Sequence, residues 1–493
     1  MKKSVKILAA VVSFAIISAC LCGCRMNMVG SGYDLYIFNG KGESAAALDK
    51  AAKKFTEETG KKVKTFSLGS GTSSIDTLRA EMNSKNQPTI FSIVNLQELK
   101  EWEEGGYVLD FTTLPDSEFK TLTDKIPYNM RLTSDGVANY GIPYNVEGYG
   151  YIADSRMVEA LFGDGTAEKF KDDAKDATYE EFENMVKAID AYIKTDATSS
   201  FTLNGKPYTL RSGKTDLSKK LTGVFAVAGA DKWTYGDHMV NVALNAVFES
   251  PADAAKATDA DINRLKGPLT AYAKALDFKT AYAAGRGGAL LRGSEFINTT
   301  TSNYDSAVQL FAEGKALFLK QGNWVYTNLE KANTEIVKTL FFIPVKLPLK
   351  DSDVTIPGKS ADYINRSISV YVPNYYAINA KATDEQKQTA MDFLLWLNTS
   401  ENGQKFVTED MAFIPYNAEN LTTDNALSNS IIEYMAEGDV LSNPYGGAPV
   451  NWSTDIVGGE VMEKYLTKKD WTESDYTAIA DFAVSKWKEM KGK

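Results

Sequence analysis

The chain has 493 residues, 44% of them hydrophobic and 24% charged, with a formal net charge of −10. A chain of this length buries more than one core and normally forms two or more domains, and its composition is that of an ordinary globular protein, not a disordered or fibrous one. The acidic balance without a basic patch argues against nucleic acid as a partner and against electrostatic attachment to a membrane surface.

The N-terminus reads as a targeting segment: Lys2, Lys3 and Lys6, then a short apolar run over residues 7–19, too short to span a bilayer. All three cysteines of the chain follow at once, as Cys20, Cys22 and Cys24. Leu21-Cys22-Gly23-Cys24 resembles a bacterial lipobox, which implies cleavage after residue 23 and a lipid on Cys24; Ile17-Ser18-Ala19-Cys20 makes Cys20 the alternative acceptor. The mature chain then has no disulfide, and His238 is its single histidine. Cysteine nucleophiles, histidine-based triads and zinc sites built from several Cys or His are thereby excluded. His238 itself reads as a loop residue.

After a short polar tether (residues 24–32), residues 33–38 read as a strand. A helix follows with Ser44 as N-cap, Leu48, Ala51, Ala52 and Phe55 on its apolar face, and Gly60 as its stop. Residues 63–68 form the next strand, Leu78 and Met82 mark a second helix, and residues 89–94 a third strand. Short loops make this a parallel β-α-β-α-β unit. Ligands of such sheets bind beyond the carboxyl ends of the strands, here Asn39 to Lys41, Ser70 to Ser74 and Asn95. The Gly69-Ser70-Gly71 loop lacks the lysine and spacing of a phosphate-binding loop.

Residues 140–152 are unlike an ordinary strand. Pro143 removes a ladder donor, Gly141, Gly148 and Gly150 permit close approach, and Glu147 stands among apolar residues and tyrosines. They form either a crossing between two lobes or a buried strand with a bulge. Residues 153–343 are mostly helical. Thr178 with Glu181 forms a capping box, Asn204-Gly205 turns a hairpin, residues 172–176 are a solvated charge run, and Gly285-Arg286-Gly287-Gly288 is a loop. Residues 316–324 end a strand in a glycine turn, with Asn323 capping the next helix and Trp324 in its first turn. Residues 341–348, interrupted by Pro344 and Pro348, read as a second crossing, residues 367–379 as a returning strand, and Ile414-Pro415-Tyr416-Asn417 as a third crossing. Thr383 with Gln386 and Thr472 with Asp475 cap later helices.

Besides a family-like run from Ala390 through Phe413-Ile414-Pro415, four stretches carry a family resemblance. They are Phe38-Asn39-Gly40-Lys41-Gly42 through Lys61-Lys62-Val63; Glu101-Trp102-Glu103-Glu104-Gly105-Gly106-Tyr107-Val108-Leu109-Asp110; Ile142-Pro143-Tyr144-Asn145-Val146-Glu147; and Gly322-Asn323-Trp324. They resemble the family 1 extracellular solute-binding proteins of carbohydrate ABC importers, the sugar-binding family that includes maltose-binding protein. Ala153-Asp154-Ser155 departs from the family pattern, and the tail match at Trp452 is looser. The resemblance implies an α/β, two-lobed periplasmic-binding-protein-like fold (class II) with three hinge crossings. It puts residues 33–146 and 349–415 in lobe 1, and 147–343 and 416–493 in lobe 2. It implies a lipid-anchored protein on the outer face of the bacterial cytoplasmic membrane, monomeric and free of cofactors, that passes a sugar or oligosaccharide to the permease subunits of an ABC transporter.

Asn39, Lys41, Ser70, Asn95, Glu147 and Asn323 are then its hydrogen-bonding candidates, and Trp324, Trp452 and Trp233 (in Trp233-Thr234-Tyr235-Gly236-Asp237) its ring-stacking ones. An indole covers the apolar C–H face of a sugar while side chains take the rim hydroxyls. Asn39 and Asn95 equally suit loop caps, and the tryptophans equally suit packing anchors. A glycoside hydrolase with two carboxylates across a cleft, or a binding protein for a polyamine or peptide, are the competing functions; no residue pair marks the first, and only Glu147 favours the second.

Overall fold

Side-chain alternation along β1 (Leu35–Asn39) builds the first half of the molecule. Leu35 and Ile37 enter one apolar core and Phe38 enters another on the opposite face, as the period of two in a strand requires. β1 pairs in parallel with β2 (Val63–Ser67) and β3 (Ile90–Ile93), and the two helices between them are Ala45–Thr59 and Ser74–Met82. Gly60 ends the first helix at φ 74°, a left-handed position suited to glycine. Ser44 does not cap it by side chain; its hydroxyl pairs with Tyr144 and the carbonyl of Lys41. The computed structural model describes residues 32–68, 74–94, 96–411, 413–418 and 421–491, so the signal and lipidation expectations at Cys20 and Cys24, and the site expectations at Ser70 and Asn95, lie outside the described residues.

β4 (Ile142–Pro143) closes the far edge of this sheet, and β5 (Glu147–Asp154), three residues on, is the trunk of a second one. Between them Val146 bridges Ile414. The hairpin β6 (Ser200–Leu203) and β7 (Lys206–Thr209) turns on Asn204 and Gly205, both at positive φ. β8 (Gly223–Ala226) joins the second sheet, β9 (Ala284–Gly285) and β10 (Gly288–Ala289) make a small hairpin where the sequence suggests only a loop, and β11 (Ala316–Gly322) runs antiparallel to β5 on one side. β12 (Leu340–Ile343) and β13 (Ile368–Tyr371) share the other side of β5, and β15 (Val440–Leu441) extends β13. β14 (Tyr375–Ile378) pairs with β3 and β4 in the first sheet. Among the described residues the large sheets have five and six strands, and no helix is long and apolar enough to cross a membrane.

The run 367–379 is thus two strands in two sheets, parted at Pro373, which has no amide hydrogen for a ladder. The chain changes sheet there and not at residues 341–348, since β12 and β13 both pair with β5. Residues 349–371 therefore keep company with the second sheet. The run 172–176 is not uniformly solvated either: Asp173 is fully buried and accepts from Lys206 and Tyr208. The capping boxes at Thr178 and Thr383 form as the sequence suggests.

Two interactions fix the halves. Lys41, just past β1, donates from Nζ to Glu147 Oε1 at 2.6 Å, and both residues are buried. This ion pair ties the end of the first sheet to the start of the second. In the second half, Trp452 is fully buried, donates Nε1 to the carbonyl of Ala483 at 2.8 Å and packs on Trp487 with centroids 4.5 Å apart.

Breaking a buried ion pair strands the remaining charge, so Glu147→Gln is expected to cost about 3–5 kcal/mol. The double variant Lys41→Met/Glu147→Leu is expected to lose less than Glu147→Gln alone; a larger loss in the double variant, by denaturant unfolding, speaks against the pair as the cause. Trp452→Ala is expected to cost about 3–5 kcal/mol as a core truncation; an unchanged unfolding midpoint would place the indole outside the core.

Candidate functional site

A cleft of about 980 Å³ opens between the two sheets. Its floor is the sheet-changing segment itself, with Tyr371, Asn374 and Tyr375 facing it. One wall comes from the first half (Arg79, Glu98, Glu101, Tyr128, Arg131, Thr133) and the other from the second half (Asp237, Ser442, Asn443, Tyr445, Val450, Asn451, Ser453, Thr454). The lining mixes hydroxyls and amides with tyrosines. Tyr128 and Val450 are 61% and 58% exposed on opposite walls, so each offers apolar surface that a ligand would cover.

The electrostatics of the walls differ. Arg79 grips Glu101 with two nitrogens, at 2.7 and 2.6 Å, and reaches Asp76 at 2.8 Å. That fork holds the Glu101 carboxyl below its usual range. Arg131 donates to the carbonyls of Ile126 and Asp124. On the other wall, burial pushes the Asp237 carboxyl up, against the hydroxyls of Ser453 and Thr454 and the nearby Lys320, which pull it down. Lys320 is buried, donates to the carbonyl of Thr234 at 3.0 Å and lies 4.7 Å from the ring centroid of Tyr149. Its own pKa is driven well down by burial, with the charge of Lys279 adding to it.

The sequence-derived site residues fall into three groups. Asn39 is fully buried and spends its side chain on local bonds: Nδ2 donates to the carbonyl of Lys41 and to Ser44 and Ser67, and Oδ1 accepts from the Lys41 amide. Here it serves as a loop cap. Trp452 is likewise a core residue and no stacking surface. Lys41 and Glu147 are buried partners; Glu147 also accepts from Asn145 at 2.9 Å and from the Tyr371 hydroxyl at 3.3 Å.

The third group comes together around Tyr149, which touches Tyr371 of the cleft floor. Trp233 and Trp324 are half-buried with centroids 6.4 Å apart, and His238 lies 5.2 Å from each. His238 is not in a loop: it opens the helix His238–Leu244 and stacks on Tyr149 at 4.2 Å. Burial lowers its pKa well below the ordinary value, which keeps the imidazole neutral. Tyr149 in turn meets Tyr371 edge-on at 5.9 Å. Asn323 does not cap a helix; its Oδ1 accepts from the Gly148 amide at 3.2 Å. Glu147 and Trp324 therefore sit at one end of β5, linked through Tyr371 and Tyr149. Gly322 precedes this tryptophan for a steric reason: a Cβ there would lie 2.0 Å from the Trp324 ring.

Sequence reasoning missed most of the cleft lining. Asp237 closes the Trp233–Asp237 motif, but Tyr128, Arg131, Tyr371, Asn443 and Tyr445 belong to no spacing pattern and meet only through topology.

Comparison with known proteins places the molecule. A family model described as bacterial extracellular solute-binding protein matches residues 50–433. No curated protein matches the chain in sequence. Among solved structures, a raffinose complex of the solute-binding protein RafE aligns with TM-score 0.60 at 17% identity, covering 93% of this chain and 99% of that one; the ligand-free RafE of Streptococcus pneumoniae gives 0.58 at 16% identity, over 93% and 97%. A sugar transporter structure from Bacillus licheniformis, in complex with stachyose, gives 0.55 at 14% identity, over 92% and 99%. These likenesses establish a shared α/β fold, and with the family match over most of its length the chain belongs to the bacterial extracellular solute-binding proteins.

Proposed function

We propose that the protein captures a sugar or oligosaccharide between two lobes and delivers it to the permease subunits of an ABC importer, as a monomer held to the outer face of the cytoplasmic membrane by lipid on Cys24. The observation that carries this reading is the 980 Å³ cleft between the sheets, with tyrosines, amides and hydroxyls on its surface and exposed Tyr128 and Val450 on opposite walls. An amphipathic sugar suits such a surface: its C–H faces cover rings while its hydroxyls meet polar rims. Proteins of the same fold have been solved with raffinose and with stachyose.

On this reading the two lobes are built on the two sheets, the described residues of 33–146 and 375–415 in one and those of 147–371 and 416–491 in the other. The strands between them change sheet at residues 144–146 and 372–374, and Ile414 joins Val146 beside the first of these. Bending at these places lets a ligand touching both walls draw the lobes together, a hinge motion driven by differential contact.

A thermal-shift screen with raffinose, stachyose, maltotetraose and N-acetylglucosamine oligomers tests the reading. A true ligand at 100 times its Kd adds about 2.7 kcal/mol to stability, so at least one sugar is expected to raise the Tm. No shift and no calorimetric heat from any of them would sink it. Tyr128→Ala, being an exposed truncation, is expected to leave the ligand-free Tm in place and weaken the bound sugar by about tenfold; undiminished affinity removes Tyr128 from the site.

A further inference from the structure

The charges lining the cleft narrow the class of sugar it can take, an inference that rests on the sugar reading itself. Glu98, Glu101, Asp237, Glu249 and Asp253 outnumber Arg79 and Arg131 along the lining. The acids differ in what they already hold. Glu101 is taken by Arg79, Glu98 accepts from the Val94 amide at 2.9 Å, and Asp253 accepts from the Ser250 hydroxyl at 2.8 Å. Glu249 is exposed to solvent.

Asp237 stands apart. It is half-buried on the second-half wall, and its Oδ1 receives both the Ser453 and the Thr454 hydroxyls. These two donors, from a different chain segment, fix the carboxylate's orientation. Its Oδ2 takes no hydrogen bond from any described residue. Behind it, Lys320 is turned to the carbonyl of Thr234, and the neighbouring Asp455 is paired with Lys232 at 2.6 Å. A desolvated carboxylate with one oxygen saturated and the other unserved is a strong acceptor awaiting a donor. The cations of the lining offset this only in part: Arg79 is paired with Glu101 and Asp76, and Arg131 keeps its charge while donating to two backbone carbonyls, one cation against the remaining carboxylates Glu98, Asp237, Glu249 and Asp253.

We propose that Asp237 sets the ligand's chemical class: its Oδ2 accepts a hydroxyl of an uncharged saccharide, and the surplus of carboxylates along the cleft lining repels sugars that carry a carboxylate of their own. Ser453 and Thr454 are positioning residues that hold the carboxylate in place. The ionised form is needed because only it offers both oxygens as acceptors. Like charges in a partly desolvated cleft repel far more than they do in water.

Calorimetry on the full folded chain tests this, with raffinose, stachyose and maltotetraose as neutral probes and trigalacturonate as the acidic one. The wild type is expected to bind a neutral probe and not trigalacturonate. Asp237→Asn is expected to weaken that neutral probe roughly 10–100-fold, the value of a hydrogen bond to a charged group, with the ligand-free Tm little changed. Should Asp237→Asn fail to fold, Ser453→Ala takes its place and is expected to weaken binding severalfold. Unchanged affinity in whichever variant folds overturns the assignment of Asp237, as does trigalacturonate binding as well as the neutral probes. If no saccharide binds the wild type, the sugar reading itself falls, and this inference with it; loss of this inference alone is recognised by a wild type that binds a neutral sugar and a variant that binds it equally.

Discussion

The Lys41–Glu147 ion pair is the constraint around which the two halves are arranged. It joins the loop after the first strand of one sheet to the first residue of the trunk strand of the other, and it does so away from water. Two charges are costly to bury unless the geometry satisfies them. Here Asn145 and Tyr371 complete the carboxylate's shell, and Tyr371 also faces the cleft. The same acid that reads in sequence as a ligand contact is thus spent on Lys41, Asn145 and the tyrosine of the floor.

Next to Tyr371, aromatic rings gather around Tyr149. Tyr149, His238, Trp233 and Trp324 meet face and edge within one cluster. Such rings keep fixed contacts through their quadrupoles as well as by area. The neutral state of His238 follows from its burial and suits it to stacking.

Much of the fold is legible in residue patterns. The apolar runs of β1 and β3, the stop at Gly60, the Asn204-Gly205 turn and the Thr178 and Thr383 boxes are local signals, and each is read out by a few neighbouring residues. The site is less so. Asn39 and Trp452 have the residue type of a ligand contact, but burial decides their role and burial is a property of the whole packing. Pro373 shows the other kind of miss: a single imino acid splits one apparent strand between two sheets, and only the pairing of Tyr371 with Glu147 and of Tyr375 with Ile93 reveals which way each piece goes. Asp237 is recognisable only once Ser453 and Thr454, more than two hundred positions later in the chain, are seen to hold it.

The order of strands carries one more implication. β3 waits for β14, which follows hundreds of residues later, and β5 takes partners from β11, β12 and β13 in turn. Each sheet is therefore interrupted by sequence that belongs to its neighbour. Neither half corresponds to one unbroken stretch of gene, so neither can be cut out and produced by itself without losing a strand. The pairings span long loops, each of which has to close before its contacts form, and that slows folding.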